Sequence, residues 1–62
     1  MKWKTETRDG CKILTSGDFE IVQLYEENSF GRWQINRWER YICTVKSLKQ
    51  AKDFCEFENK YN

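Results

Sequence analysis

Arg32, Trp33, Arg37, Trp38, Arg40 and Tyr41 interleave three guanidinium groups with three aromatic rings within ten residues. Arginine and tryptophan are the residues most enriched at binding hot spots. The same pairing also suits stacking on single-stranded bases combined with phosphate contact. Gln34 and Asn36 lie between them and offer amide groups that both donate and accept hydrogen bonds. A purely structural role is also open to these residues. In it Trp33 joins the core, and the arginines stack on neighbouring rings or pair with Glu20 and Glu39. Trp38 escapes that account, because it falls at an expected turn where an indole has little core to join, and exposed apolar groups at a tip point to contact.

Other chemistries find less material. The chain has no histidine, which removes the usual proton shuttle and the commonest metal ligand. Ser16, Ser29 and Ser47 therefore lack an imidazole base, and a catalytic role would need a lysine or carboxylate in a cleft that so small a chain cannot readily form. Cys11, Cys43 and Cys55 are far from C-x-x-C spacing, and an odd number cannot close a disulfide framework. They read as free, buried apolar thiols in a reducing compartment, with a Cys43–Cys55 bridge as the alternative in an oxidising one. Asp18, Glu20, Glu26 and Glu27 offer a carboxylate cluster but not the spaced acids and glycine of a calcium loop, and Glu26-Glu27 reads as a solvated loop. The expectation is a non-enzymatic protein with no cofactor and no metal.

Sixty-two residues make one domain, 1–62, with a thin core. A mean hydropathy of −0.93 and 34% charged residues keep the surface polar, while three Trp, three Tyr and four Phe argue against disorder. Net charge is only +1, so no overall field steers the chain to nucleic acid or membrane. Locally the balance is uneven: residues 18–30 sum to −4 and residues 31–46 to +3. The acidic stretch could meet a basic surface on a host nucleic-acid-binding protein. No apolar run approaches a membrane span and the N-terminus lacks a signal-peptide core, so a cytoplasmic location is expected.

Those residues must be positioned by short elements. Lys2–Arg8 alternates, with Trp3, Thr5 and Thr7 on one side, and Asp9-Gly10 offers a two-residue hairpin turn into Cys11–Thr15. A strict turn pairs Glu6 with Ile13 and Arg8 with Cys11, setting charges beside apolar residues, so a bulge or one-residue slip is expected there. Phe19–Tyr25 is rich in β-formers and apolar on both faces, as a central strand would be. Glu26-Glu27-Asn28-Ser29 reads as a loop closed by Gly31. Arg32–Arg37 follows with Trp33 and Ile35 inward and Arg32, Gln34 and Asn36 outward, then a turn near Trp38-Glu39 and a last strand at Arg40–Val45.

From Ser47 the period changes. Ser47-Leu48-Lys49-Gln50 matches a capping box, and Leu48, Ala51, Phe54 and Cys55 form one apolar stripe over a helix of about 48–59. The predicted fold is α+β: a small antiparallel meander of three strands, five with the N-terminal hairpin, and one C-terminal helix across one face. The opposite face is left to water or a partner.

Gly31-Arg32-Trp33-Gln34-Ile35, a turn, and then Tyr41-Ile42-Cys43-Thr44-Val45-Lys46-Ser47-Leu48-Lys49-Gln50-Ala51-Lys52 cover about half the chain. This stretch resembles small uncharacterised phage and prophage proteins with the layout W-x-I, turn, strand, (S/T)-L-x-x-A-K. The strand-strand-helix ending is also similar to the N-terminal DNA-binding domains of tyrosine integrases and to AP2-type domains, which read DNA with a three-stranded sheet. The phage resemblance implies an accessory factor that binds and inhibits a host protein, for example a defence-system component such as a CRISPR effector. Arg32, Gln34, Asn36, Arg37, Trp38 and Arg40 are the expected contact residues. Trp38 would be the anchor, Arg37 and Arg40 charge-assisted donors, and Gln34 and Asn36 adaptable polar contacts. Sheet-based DNA or RNA binding through the same residues is the alternative, and a homodimer through the bare face or an edge is a third reading.

Overall fold

In the computed structural model, which describes residues 1–61, five strands and one helix follow in chain order: β1 (Lys4–Arg8), β2 (Cys11–Ser16), β3 (Phe19–Asn28), β4 (Gly31–Arg37), β5 (Arg40–Val45) and α1 (Leu48–Tyr61). Every strand connection is two residues long, the length at which turn type and register determine each other. The strands form one antiparallel sheet in the order β1-β2-β3-β4-β5. Asp9 (φ 54°) and Gly10 (φ 81°) make the first turn with both central residues at positive φ, the type I′ signature that matches strand twist.

The N-terminal hairpin keeps the strict register, with Glu6 opposite Ile13 and Arg8 opposite Cys11. The expected bulge or slip is absent because Ile13 does not belong to the helix side. Leu14 pairs with Ile21 and enters the core, whereas Ile13 pairs with Val22 on the other face. Trp3, Thr5 and Thr7 share Leu14's side, and Trp3 packs against the core from just before β1. The N-terminal amino group reaches Glu56 at 3.5 Å and ties this segment to the helix.

The helix lies over β3, β4 and β5. Leu14, Phe19, Ile21 and Ile35 from the sheet meet Ala51 and Cys55 from α1, all 2% exposed or less, with Trp33, Cys43, Val45, Leu48 and Phe54 packed around them. Full burial of each large apolar side chain contributes about 1.5–3 kcal/mol. Ala51 is small enough to bring the helix axis close to the sheet. The capping box forms reciprocally: the Gln50 amide donates to Ser47 Oγ at 3.1 Å and the Ser47 amide donates to Gln50 Oε1 at 3.2 Å. The helix runs to Tyr61, two residues past the expected end.

Two irregularities depart from the sequence reading. Glu26 and Glu27 belong to β3 and not to a loop, but the pairing shifts between Gln23↔Trp33 and Asn28↔Gly31, leaving residues 24–27 opposite the single Arg32. Asn28 closes this turn by accepting from the Phe30 and Gly31 amides at 2.8 and 3.0 Å. The second shift, between Ile35↔Cys43 and Asn36↔Tyr41, makes Ile42 an extra residue. It turns Tyr41 onto the face away from the helix, where its hydroxyl lies 3.1 Å from Thr44 Oγ1.

Gly31 is indispensable for a steric reason. At φ 139° it sits so near the end of β5 that a Cβ would collide with the Val45 carbonyl. Gly10, by contrast, has nothing within 4 Å of its absent Cβ. Gly31→Ala is therefore expected to lose at least about 3 kcal/mol in urea unfolding, against about 1 kcal/mol for Gly10→Ala, where only the left-handed backbone is strained.

Candidate functional site

The β4–β5 turn holds Trp38 at φ 51° and Glu39 at φ 63°. Both are left-handed, as a type I′ turn requires, but neither is the Asn or Gly that such a turn favours. Each non-glycine residue in that region costs about 1–2 kcal/mol. The first turn of this same chain meets the requirement with Asp9-Gly10, so the strain at Trp38-Glu39 is not imposed by the fold.

What holds the turn comes from the neighbouring β2–β3 connection. The Trp38 amide donates to the Asp18 carbonyl at 3.1 Å. Arg37 Nε donates to Asp18 Oδ2 at 3.3 Å. The Arg37 guanidinium lies 4.5 Å from the Phe19 ring centroid and 4.2 Å from that of Trp38. A stack thus runs from the buried Phe19 through Arg37, whose side chain is 13% exposed, to Trp38, which is 66% exposed. The indole is presented to solvent on a support that packing and hydrogen bonds have already ordered.

The six expected contact residues fall into two groups. Arg32, Gln34 and Asn36 point away from the helix, as expected from the alternation in β4. There Gln34 Nε2 donates to Asn36 Oδ1 at 2.9 Å, and Asn36 Nδ2 donates to Glu20 Oε1 at 3.0 Å. These amides form a ladder across the sheet, and Glu20 sits within it as a negative charge. Arg37, Trp38 and Arg40 form the second group, at the turn. Arg37 lies on the helix side and is engaged by Phe19, Trp38 and, through Nε, Asp18, so in this structure it supports the indole. Arg40 is exposed and, among the described residues, makes no ion pair.

Sequence reading missed Asp18 and Phe19 as the supports. They are adjacent in the chain, but only the pairing of Phe19 with Arg37 brings them under the turn. It also missed the exposure of Tyr25 and Phe30 at the opposite end of the sheet, which follows from the β3 shift. The acidic stretch is dispersed: Asp18 pairs with Arg37, Glu20 with Asn36, and Glu26 and Glu27 lie in the shifted segment. No group of three or more Cys, Asp or Glu side chains among the described residues is arranged to hold a metal ion. Hollows beside β1 are lined by Lys4, Thr15 and their neighbours.

All three cysteines are free thiols. Burial pushes the Cys55 thiol up to about 11, with Cys43 adding to the effect, and burial with Glu58 raises Cys43. Neither is an activated nucleophile.

Replacing Trp38-Glu39 with Asn-Gly relieves two left-handed residues and forfeits one ring–guanidinium contact of about 0.5–1 kcal/mol, so the variant should gain on the order of 1 kcal/mol. Thermal unfolding should then shift upward by about 4–8 °C. The raised Cys55 pKa has a defined sign: the unfolded thiol ionises near 9.0 while the folded one stays neutral to about 11. Stability is therefore unaffected below pH 8 and falls as pH rises from 9 to 11, by at most about 3 kcal/mol. Subtracting the urea-derived profile of Cys55→Ala isolates this slope. Set against protein-family models, curated proteins and solved structures, the chain matches none, so its function has to be read from this geometry.

Proposed function

We propose that this chain is a non-enzymatic binding protein that docks on another protein through the β4–β5 turn, with Trp38 as the anchor. The observation that carries this reading is the strained, exposed indole at positive φ, braced from behind by Arg37, Phe19 and Asp18. Residues held in costly backbone conformations cluster where a surface makes contact. An ordered aromatic side chain also loses little entropy when it enters a pocket, which is the advantage of preorganisation. Arg40 and Glu39 flank the indole as exposed charges, suited to a polar rim that sets orientation.

We take the partner to be a host protein and the outcome to be inhibition by occupancy, as a resemblance to small phage and prophage proteins would imply. The alternative, nucleic-acid binding across the open face, gains no support from the Glu20–Asn36–Gln34 ladder. It places a carboxylate at the centre of the face where a polyanion would lie.

The test is affinity capture from host lysate with and without nuclease, comparing wild type with Trp38→Ala. Arg37 stays intact, since its loss would disturb Phe19 and Asp18. The expected result is a discrete protein partner that survives nuclease and weakens at least tenfold with Trp38→Ala, in the range of a hot-spot tryptophan. Recovery that vanishes with nuclease would establish the nucleic-acid reading instead. A partner retained in full by Trp38→Ala would remove the turn as the site.

A further inference from the structure

The two sheet edges are unlike. β1 alternates Lys4, Glu6 and Arg8 with threonines, and Arg8 pairs with Glu6 at 3.1 Å, the charged pattern with which proteins protect an edge from strand addition. β5 reads Arg40-Tyr41-Ile42-Cys43-Thr44-Val45, β-forming throughout with one charge at its start. Lys46 follows directly after its end. Among the described residues neither cation has an ionic partner. Tyr41 is 60% exposed and Ile42 36%.

We infer that the β5 edge is a contact element in its own right, and that it accepts an extended, acidic segment of the partner protein as a sixth strand. The inference rests on reading the chain as a binding protein, not on Trp38 being its anchor. From Arg40 to Lys46 is about 20 Å at strand rise, so the fitting segment is about six residues long with carboxylates toward both ends. Backbone hydrogen bonds would supply affinity and alternate side chains specificity. A second copy is a poor occupant: antiparallel pairing of two β5 strands about Cys43 sets Arg40 against Lys46 at both ends. The Ile42 shift interrupts the strand, so the ladder forms mainly over its second half.

The test uses the full chain, labelled with 15N, and two eight-residue capped peptides of alternating threonine and valine, one ending in glutamates and the other in lysines. The glutamate peptide should perturb and slow exchange of amides 42–46, and the lysine peptide should not. The exposed double substitution Arg40→Glu/Lys46→Glu should keep the dichroism spectrum and reverse that preference, weakening the glutamate peptide roughly tenfold or more. Trp38→Ala should leave the peptide response intact, so failure of the turn and failure of the edge are separate results. Absence of binding at millimolar peptide, equal response to both peptides, or perturbations centred on β1 would overturn the inference. So would protection of β5 amides that grows with protein concentration alone, which would make a second copy the occupant.

Discussion

The burial of Ile35 between the sheet and α1 sets the parity of β4, and most side-chain directions in the molecule follow from it. Ile35 is fully buried, opposite Ile21 on one side and Cys43 on the other. Trp33 and Arg37 must then share its face, and Arg32, Gln34 and Asn36 must share the other. The turns on either side are only two residues long, so changes of register are taken up within the strands, between Gln23 and Asn28 in β3 and at Ile42 in β5. Where parity still had to change, the chain inserted an extra residue: Ile42 lets Cys43 face the helix and Tyr41 face away. One buried side chain thus determines which residues are available for contact.

The end of the sheet bearing Trp38 shows a different logic. There the core does not simply stop. Phe19 is covered by Arg37, Arg37 by Trp38, and Asp18 holds both through its carboxylate and its carbonyl. The apolar interior is continued outward as a graded stack whose last member is exposed. The same chain contains a conventional Asp-Gly turn, so the left-handed tryptophan and glutamate are a local sacrifice of stability. That is the pattern expected where local structure disagrees with local propensity at a contact surface. The β5 edge beside it is the less protected of the two edges, and both features belong to the half of the molecule under the helix.

Much of the architecture was legible in residue pattern. The alternation around Trp33 and Ile35, the Ser47/Gln50 capping box and the Ala51/Cys55 stripe are local signals, and the structure has each of them. In the first hairpin the strict register sets Glu6 opposite Ile13, and this is no conflict because Ile13 lies on the face away from the helix. A two-faced sheet can bury Leu14 under the helix while Ile13 is sheltered on the other side by its neighbours. Glu26-Glu27 looked like a loop because polarity was the only available cue, and the strand there is held by Asn28 and by the closeness of Gly31 to Val45.

By itself the sequence determined the elements, their order, the helix cap, the inward and outward residues of β4, and the exposure of Trp38. These are properties of periods and turns only a few residues long. Tertiary structure decided what Arg37 does, where Tyr41 points, and which edge is open. Arg37 could have faced a partner or a neighbour; its pairing with Phe19 and its nearness to Asp18 depend on β3 lying beside β4. The direction of Tyr41 depends on a single extra residue, Ile42, in the pairing of β5 with β4. Such outcomes depend on contacts between segments distant in the chain, and no local pattern encodes them.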